Sequence, residues 1–125
     1  MGFFPASGNE NVSGNFTATG TATAASLTAT GGSVDVSAAG QGLKVAEGSN
    51  AKQGTFTLAG TATTTVANTA VTANSRILLT TQTLGTVTAA STLAVSGRLP
   101  GTSFTVTPSQ ATDTSTVAFE IFEPG

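Results

Sequence analysis

The 125-residue chain has no cysteine, histidine, tryptophan or tyrosine, and charged residues make up only 8% of it. Without cysteine there can be no disulfide and no thiolate nucleophile. Without histidine there is no imidazole base, and an ordinary zinc site of nitrogen and sulfur ligands is excluded as well. Four Lys and Arg stand against six Asp and Glu, a net charge of −2, so no basic footprint exists for a phosphate backbone. Nucleic acid is therefore not an expected partner. Nor is a membrane, since no run approaches the roughly 18 consecutive apolar residues of a spanning helix. The opening Met1-Gly2-Phe3-Phe4-Pro5 lacks the basic region of a secretory signal. The expectation is a chain that is not an enzyme and needs no cofactor.

What fills the sequence is small and hydroxylated: 26 Thr, 20 Ala, 15 Gly and 12 Ser. Val, Leu, Ile and Phe together number 27, just above the share at which disorder becomes the default. A core drawn from so few large side chains is thin, because each contributes only about 1.5–3 kcal/mol when fully buried. Such a chain is expected to gain stability by burying surface against copies of itself, most simply as a homotrimer.

Helix signals are nearly absent, because no stretch places Leu, Glu, Lys, Gln and Arg at a period of 3.6. Thr and Val dominate instead, and their branched side chains suit a pleated backbone. Glycines at short intervals punctuate the β-prone runs, as in an antiparallel sandwich. The strands expected are 15–19, 25–30, 33–37, 43–47, 53–58, 61–66, 76–82, 86–90, 93–99, 103–107 and 116–122. Several alternate cleanly, with Asp35 between Val34 and Val36, Lys44 between Leu43 and Val45, and Glu120 between Phe119 and Ile121. The fold class expected is all-β: an antiparallel β-sandwich, jelly-roll-like, over residues 13–125, with an extended N-terminal arm over residues 1–12. Phe3 and Phe4 in that arm are poorly left in water and are expected to dock on a neighbour.

Residues 14–23 and 54–63 match at seven of ten positions and share a Gly/Phe/Gly frame. This reads as two equivalent hairpins, each sending a Phe into the core.

Chemistry finds little to work with. The 38 hydroxyls have only Lys44 and Lys52 as amine bases, so they are expected to fill polar strand faces. Glu120 with Glu123, or Asp35 with Glu47, would be the carboxylate pairs of a glycosidase, but the Trp and Tyr of a sugar cleft are missing. Thr112-Asp113-Thr114-Ser115 lacks calcium-loop spacing, and Asp113 is expected to bond nearby backbone N–H groups in a turn. Gly40-Gln41-Gly42-Leu43-Lys44 is a loop rather than a phosphate cradle. Arg76 and Arg98, the only arginines, sit beside apolar strand residues. They are candidates for inter-subunit ion pairs with Glu120, Glu123 or Asp113. The partner-binding candidates are thus Phe3, Phe4, Arg76, Arg98, Glu120 and Glu123.

The stretch Gly42-Leu43-Lys44-Val45-Ala46-Glu47-Gly48-Ser49-Asn50-Ala51-Lys52-Gln53-Gly54 resembles small structural proteins of tailed bacteriophages. The resemblance continues through Val66-Ala67-Asn68-Thr69-Ala70-Val71-Thr72-Ala73-Asn74-Ser75-Arg76-Ile77 and Gly101-Thr102-Ser103-Phe104-Thr105-Val106. It closes on Ala111 to Phe119 and Glu123-Pro124, so that it covers about two thirds of the chain. Modules of this kind occur in capsid decoration proteins and in tail fibres and tailspikes. The resemblance implies a virion protein. Taken as a complete product beginning at Met1, the chain is expected to be a decoration (cement) protein on the outer capsid surface, an oligomer bridging subunits of the major capsid protein. The alternative is a tail-fibre or tailspike head module binding host receptor glycans, against which the missing Trp and Tyr count.

Overall fold

A computed structural model of the chain describes Asn15 and residues 17–125. The expected arm, with Phe3 and Phe4, lies outside the described residues, as does Phe16 of the first repeat copy. The chain divides into two units, Met1–Gln41 and Gly42–Gly125. Within the first, the described residues are exposed and form no strand, so the strands expected at 15–19, 25–30 and 33–37 are not seen there. Alternation alone does not make a strand. It records how a residue fits a half-buried pleated surface, and Leu27 and Val34 meet none, remaining 79% and 66% exposed.

The second unit holds six strands and no helix: β1 (Gln53–Thr57), β2 (Thr64–Ala67), β3 (Arg76–Thr83), β4 (Leu93–Leu99), β5 (Ser103–Pro108) and β6 (Thr116–Phe122). They form two three-stranded antiparallel sheets, one ordered β1-β6-β3 and the other β2-β5-β4. Among the described residues the fold is thus a six-stranded antiparallel β-sandwich. Residues 43–47 contribute only an isolated bridge from Glu47 to Gln53, and 86–90 is a loop.

Only β4 and β5 are joined as a hairpin. Pro100 and Gly101, the latter at φ +67°, occupy its tip, and the Thr102 N–H donates to the Leu99 carbonyl at 3.0 Å. Proline at the second turn position and a left-handed glycine at the third are what a type II turn requires. Every other connection passes from one sheet to the other. The Gly54–Thr63 repeat is therefore not the expected hairpin. It is an arch in which β1 ends in the first sheet and β2 begins in the second. At its crown the Leu58 and Gly60 amides donate to the Ser115 and Asp113 carbonyls, both at 3.0 Å.

The central strands carry the core. In β6, Val117, Phe119 and Ile121 turn inward, as do Phe104 and Val106 in β5, and Leu58 and Val71 from the connections join them. The edge strands add Phe56, Val66, Ile77, Leu79 and Leu93. Three rings meet between the sheets: Phe104 lies 5.4 Å from Phe119 and 6.0 Å from Phe56, both edge to face, and Phe56 lies 6.3 Å from Phe119. Such pairs add about 0.5–1.5 kcal/mol beyond the area they bury. Gly54 is paired with Phe119, and a Cβ there would come within 3.1 Å of the ring. The glycine lets the ring edge lie against the strand. Outward positions are largely threonine, including the row Thr57, Thr116 and Thr83 and the pair Thr65 and Thr105. Thr is the polar residue that keeps strand propensity.

Truncating the central ring, Phe104→Ala, is expected to cost about 3–5 kcal/mol, whereas Leu78→Thr on the exposed face should stay within about 0.5 kcal/mol. Urea unfolding of the two variants checks this. Equal losses would mean that the rings do not form the structural centre.

Candidate functional site

In a chain so poor in ionisable groups, the carboxylates show where polar work is done. Asp113 has no exposed surface. It sits in the β5–β6 connection, where the Ser91 hydroxyl donates to its Oδ2 at 2.5 Å and the Ser115 N–H donates to its Oδ1 at 2.8 Å. The second bond, two residues along, is the expected Asx turn. Burial pushes this carboxyl up, but the bonds from Ser115 and Ser91 outweigh it and hold the carboxyl below its ordinary value.

The loop after β3 is clasped to the same segment. The Gly85 N–H donates to the Ser115 hydroxyl at 3.0 Å, the Thr86 N–H to the Thr114 hydroxyl at 3.0 Å, and the Thr86 hydroxyl to the Thr112 carbonyl. A side chain at 85 would collide with the Thr114 backbone. Thr86 therefore spends its amide and hydroxyl on this clasp instead of on a strand ladder. Asp113 is correspondingly no partner for an arginine across an interface. Its oxygens are already held by Ser115 of its own loop and by Ser91 of the β3–β4 connection.

Glu123 ties a second turn. Its Oε1 accepts from the Ser75 hydroxyl at 2.5 Å, its Oε2 from the Thr72 hydroxyl at 2.7 Å, and the Lys52 ammonium stands 3.5 Å away. The two hydroxyl bonds hold its carboxyl below the usual value, with Lys52 adding to the lowering. Arg98 reaches the same turn from β4, donating from Nε to the Ser75 carbonyl at 2.6 Å. Arg98 and Glu123 thus meet at Ser75 without pairing. Glu120, half-buried on β6, accepts from Gln53 Nε2 at 2.8 Å. Arg76 is exposed at the start of β3, in register with Phe122. Among the described residues the single ion pair is Lys52 with Glu123.

Of the carboxylate pairs considered for glycoside hydrolysis, Glu120 with Glu123 is not assembled as such. Glu120 and Glu123 hold separate partners, and Asp35 and Glu47 lie in different units. No three acidic side chains converge among the described residues. Glu47, exposed and bridged to Gln53 at the edge of β1, lines a cleft with Ser49, Asn50, Gly54, Val66 and Phe119. That cleft is the candidate site. Sequence reasoning named Glu47 only as half of a catalytic pair and missed the cleft altogether, since it joins residues from two sheets.

Protonating Asp113 is harder in the fold than in the unfolded chain. As the pH falls, the unfolded chain takes up its proton first, near the ordinary value of about 3.9. The contribution of Asp113 is therefore complete above that range and is lost as the pH drops through the lowered folded value. Asp113→Asn, which turns one acceptor into a donor facing donors, should cost about 1–3 kcal/mol at neutral pH. It should also flatten the acid limb of stability against pH, read by denaturant unfolding. An acid limb as steep as that of the parent would rule Asp113 out as its source. Gly85→Ala should cost about 1–3 kcal/mol through overpacking and speed hydrogen exchange at Thr86. Unchanged exchange there would mean that the clasp does not depend on this close approach.

A family model described as K1 capsule-specific polysaccharide lyase, C-terminal domain, matches residues 50–122. No curated protein and no solved structure matches the chain. The matched span runs from the Asn50 loop to the last residue of β6 and so takes in both sheets, their connections and most of the cleft lining. It covers more than half of the chain, which therefore belongs to the family of the K1 capsule-specific polysaccharide lyase C-terminal domain.

Proposed function

We propose that this chain is a non-catalytic structural module of the phage tail-fibre or tailspike kind, carried on the virion where the particle meets host-surface polysaccharide. The observation that carries the reading is the extent of the family match, which spans the whole sandwich rather than a short motif. A C-terminal domain of a polysaccharide lyase belongs with tail-fibre modules more readily than with capsid cement. The use of the ionisable groups supports a non-catalytic role. Asp113 and Glu123 are spent on holding turns, and the hydroxyls bonded to them lie in those turns and not in the cleft.

The module is proposed to act as a homo-oligomer. Four of its six strands are sheet edges, which invite pairing with another chain unless they are covered. The exposed Leu78, Leu99 and Phe122 offer apolar contact, and Arg76 beside Phe122 offers a cation to a neighbouring copy's acidic group.

Location on the particle tests the reading. Tomography of virions labelled with an antibody against residues 42–125 is expected to place the label on the tail. Label spread over the capsid surface, with none on the tail, would overturn the fibre assignment and return capsid decoration to first place.

A further inference from the structure

The four sheet edges are not equally guarded against another strand. β2 offers only four residues. β4 is broken by the bulge between Val95 and Gly97 and runs into Pro100. β1 is met at Gln53 by the bridge to Glu47. β3 has eight residues with no proline or lysine, and its bulge comes only after Thr81. From Arg76 to Thr80 it is regular, and among the described residues no strand lies on its far side.

The backbone groups on that edge follow from the ladder. The Ile121 N–H donates to the Lys52 carbonyl at 2.7 Å, so Ile121 bonds to the β1 side and its neighbours Glu120 and Phe122 turn to β3. Their partners Leu78 and Arg76 bond back to β6, and the N–H and C=O of Ile77 and Leu79 point to the free edge. The side chains are left open in the same way. Ile77 and Leu79 pack on the core yet are only half-buried, and Leu78 on the outer face is 54% exposed.

We infer that β3 pairs antiparallel with β3 of a second copy, about a two-fold axis at Leu78. Ile77 then stands opposite Leu79 of the second copy, and these residues exchange the backbone bonds that the edge leaves open. On the inner side each leucine covers a half-buried isoleucine. On the outer side Leu78 meets itself as a non-hydrogen-bonded pair, where side chains lie closest. A second copy is the occupant because the strand matches itself when reversed: apolar meets apolar at Ile77, Leu78 and Leu79. Charge agrees with this. From strands about 4.8 Å apart and a rise of about 3.4 Å per residue, Arg76 lies roughly 12 Å from Glu120 of the second copy, while the two copies of Arg76, like those of Glu120, stay roughly 14 Å apart. Opposite charges are thus nearer than like ones, whereas an in-register parallel pairing would set Arg76 beside itself. Such a contact is isologous and closes on two copies, so it makes pairs and not the homotrimer expected from composition. The inference rests on the homo-oligomer reading and goes further by naming its edge, register and symmetry.

The chain has no cysteine of its own, so a single introduced cysteine reports the register. In a glutathione redox buffer, full-length Leu78→Cys is expected to cross-link copy to copy, because a residue opposite itself brings its two Cβ atoms within disulfide reach. Thr80→Cys stands opposite Arg76 in this register and should lose that cross-link, its two copies being too far apart. Sedimentation equilibrium of the parent from about 10 μM to about 1 mM should show monomer passing to dimer. Leu78→Lys sets two ammonium groups face to face and should raise the dissociation constant about tenfold or more. Urea unfolding checks that this variant is folded, and if it is not, the cysteine pair decides alone. Equal cross-linking of the two cysteine variants, or none by either, would overturn the edge assignment. So would self-association that a folded Leu78→Lys leaves unchanged, and a homo-oligomer through another surface would then stand. A parent that stays monomeric throughout, with no cross-link at Leu78→Cys, would overturn the homo-oligomer reading as well.

Discussion

With only 27 large apolar residues spread over 125 positions, the chain closes its two sheets on the contact of Phe56, Phe104 and Phe119. Phe104 and Phe119 lie on the central strand of each sheet, so each ring is supported by edge strands on both sides. Much of the remaining architecture serves to bring these strands together. The first sheet is built around β6, the last strand in the sequence, flanked by strands that begin 63 and 40 residues earlier. Sheets paired over such separations pay their loop-closure entropy before their contacts form. Among the described strands the β4–β5 hairpin is the only local pairing, and its β5 is the centre of the second sheet.

A thin core places more of the burden on polar ties. Asp113 and Glu123 each fasten a turn by accepting from serine and threonine hydroxyls, and no described buried side-chain polar atom lacks a partner. The abundance of hydroxyls thus has two uses. On the strands, threonine faces water without giving up the pleated backbone. In the loops, serine and threonine donate to the Asp113 and Glu123 carboxylates and hold both below their ordinary values. Both uses hold the fold together.

Legibility in the sequence followed the degree of burial. In β5 and β6 the inward residues alternate strictly, in β4 they do so as far as the bulge between Val95 and Gly97, and the true strands are bracketed to within a residue. The same alternation at 25–30 and 33–37 produced no strand, because those segments have no buried face to fill. Residues 86–90 read as strand from Thr and Val alone, and what overrode that tendency was the fit of Gly85 against Thr114. The Asx role of Asp113 was visible, since it depends on bonds two residues away. Its burial beneath Ser91 was not, because that partner lies 22 residues off.

By itself the sequence determined the all-β class, the lack of imidazole and thiol chemistry, and the low charge, all of which depend on composition and short-range period. The tertiary structure decided which strands share a sheet and that β1 and β2 part to form an arch. It also decided that Glu47, Gly54, Val66 and Phe119 line one cleft. Those outcomes rest on contacts between residues far apart in the chain, where a repeat such as Gly54–Thr63 carries no mark of the sheet each half will join.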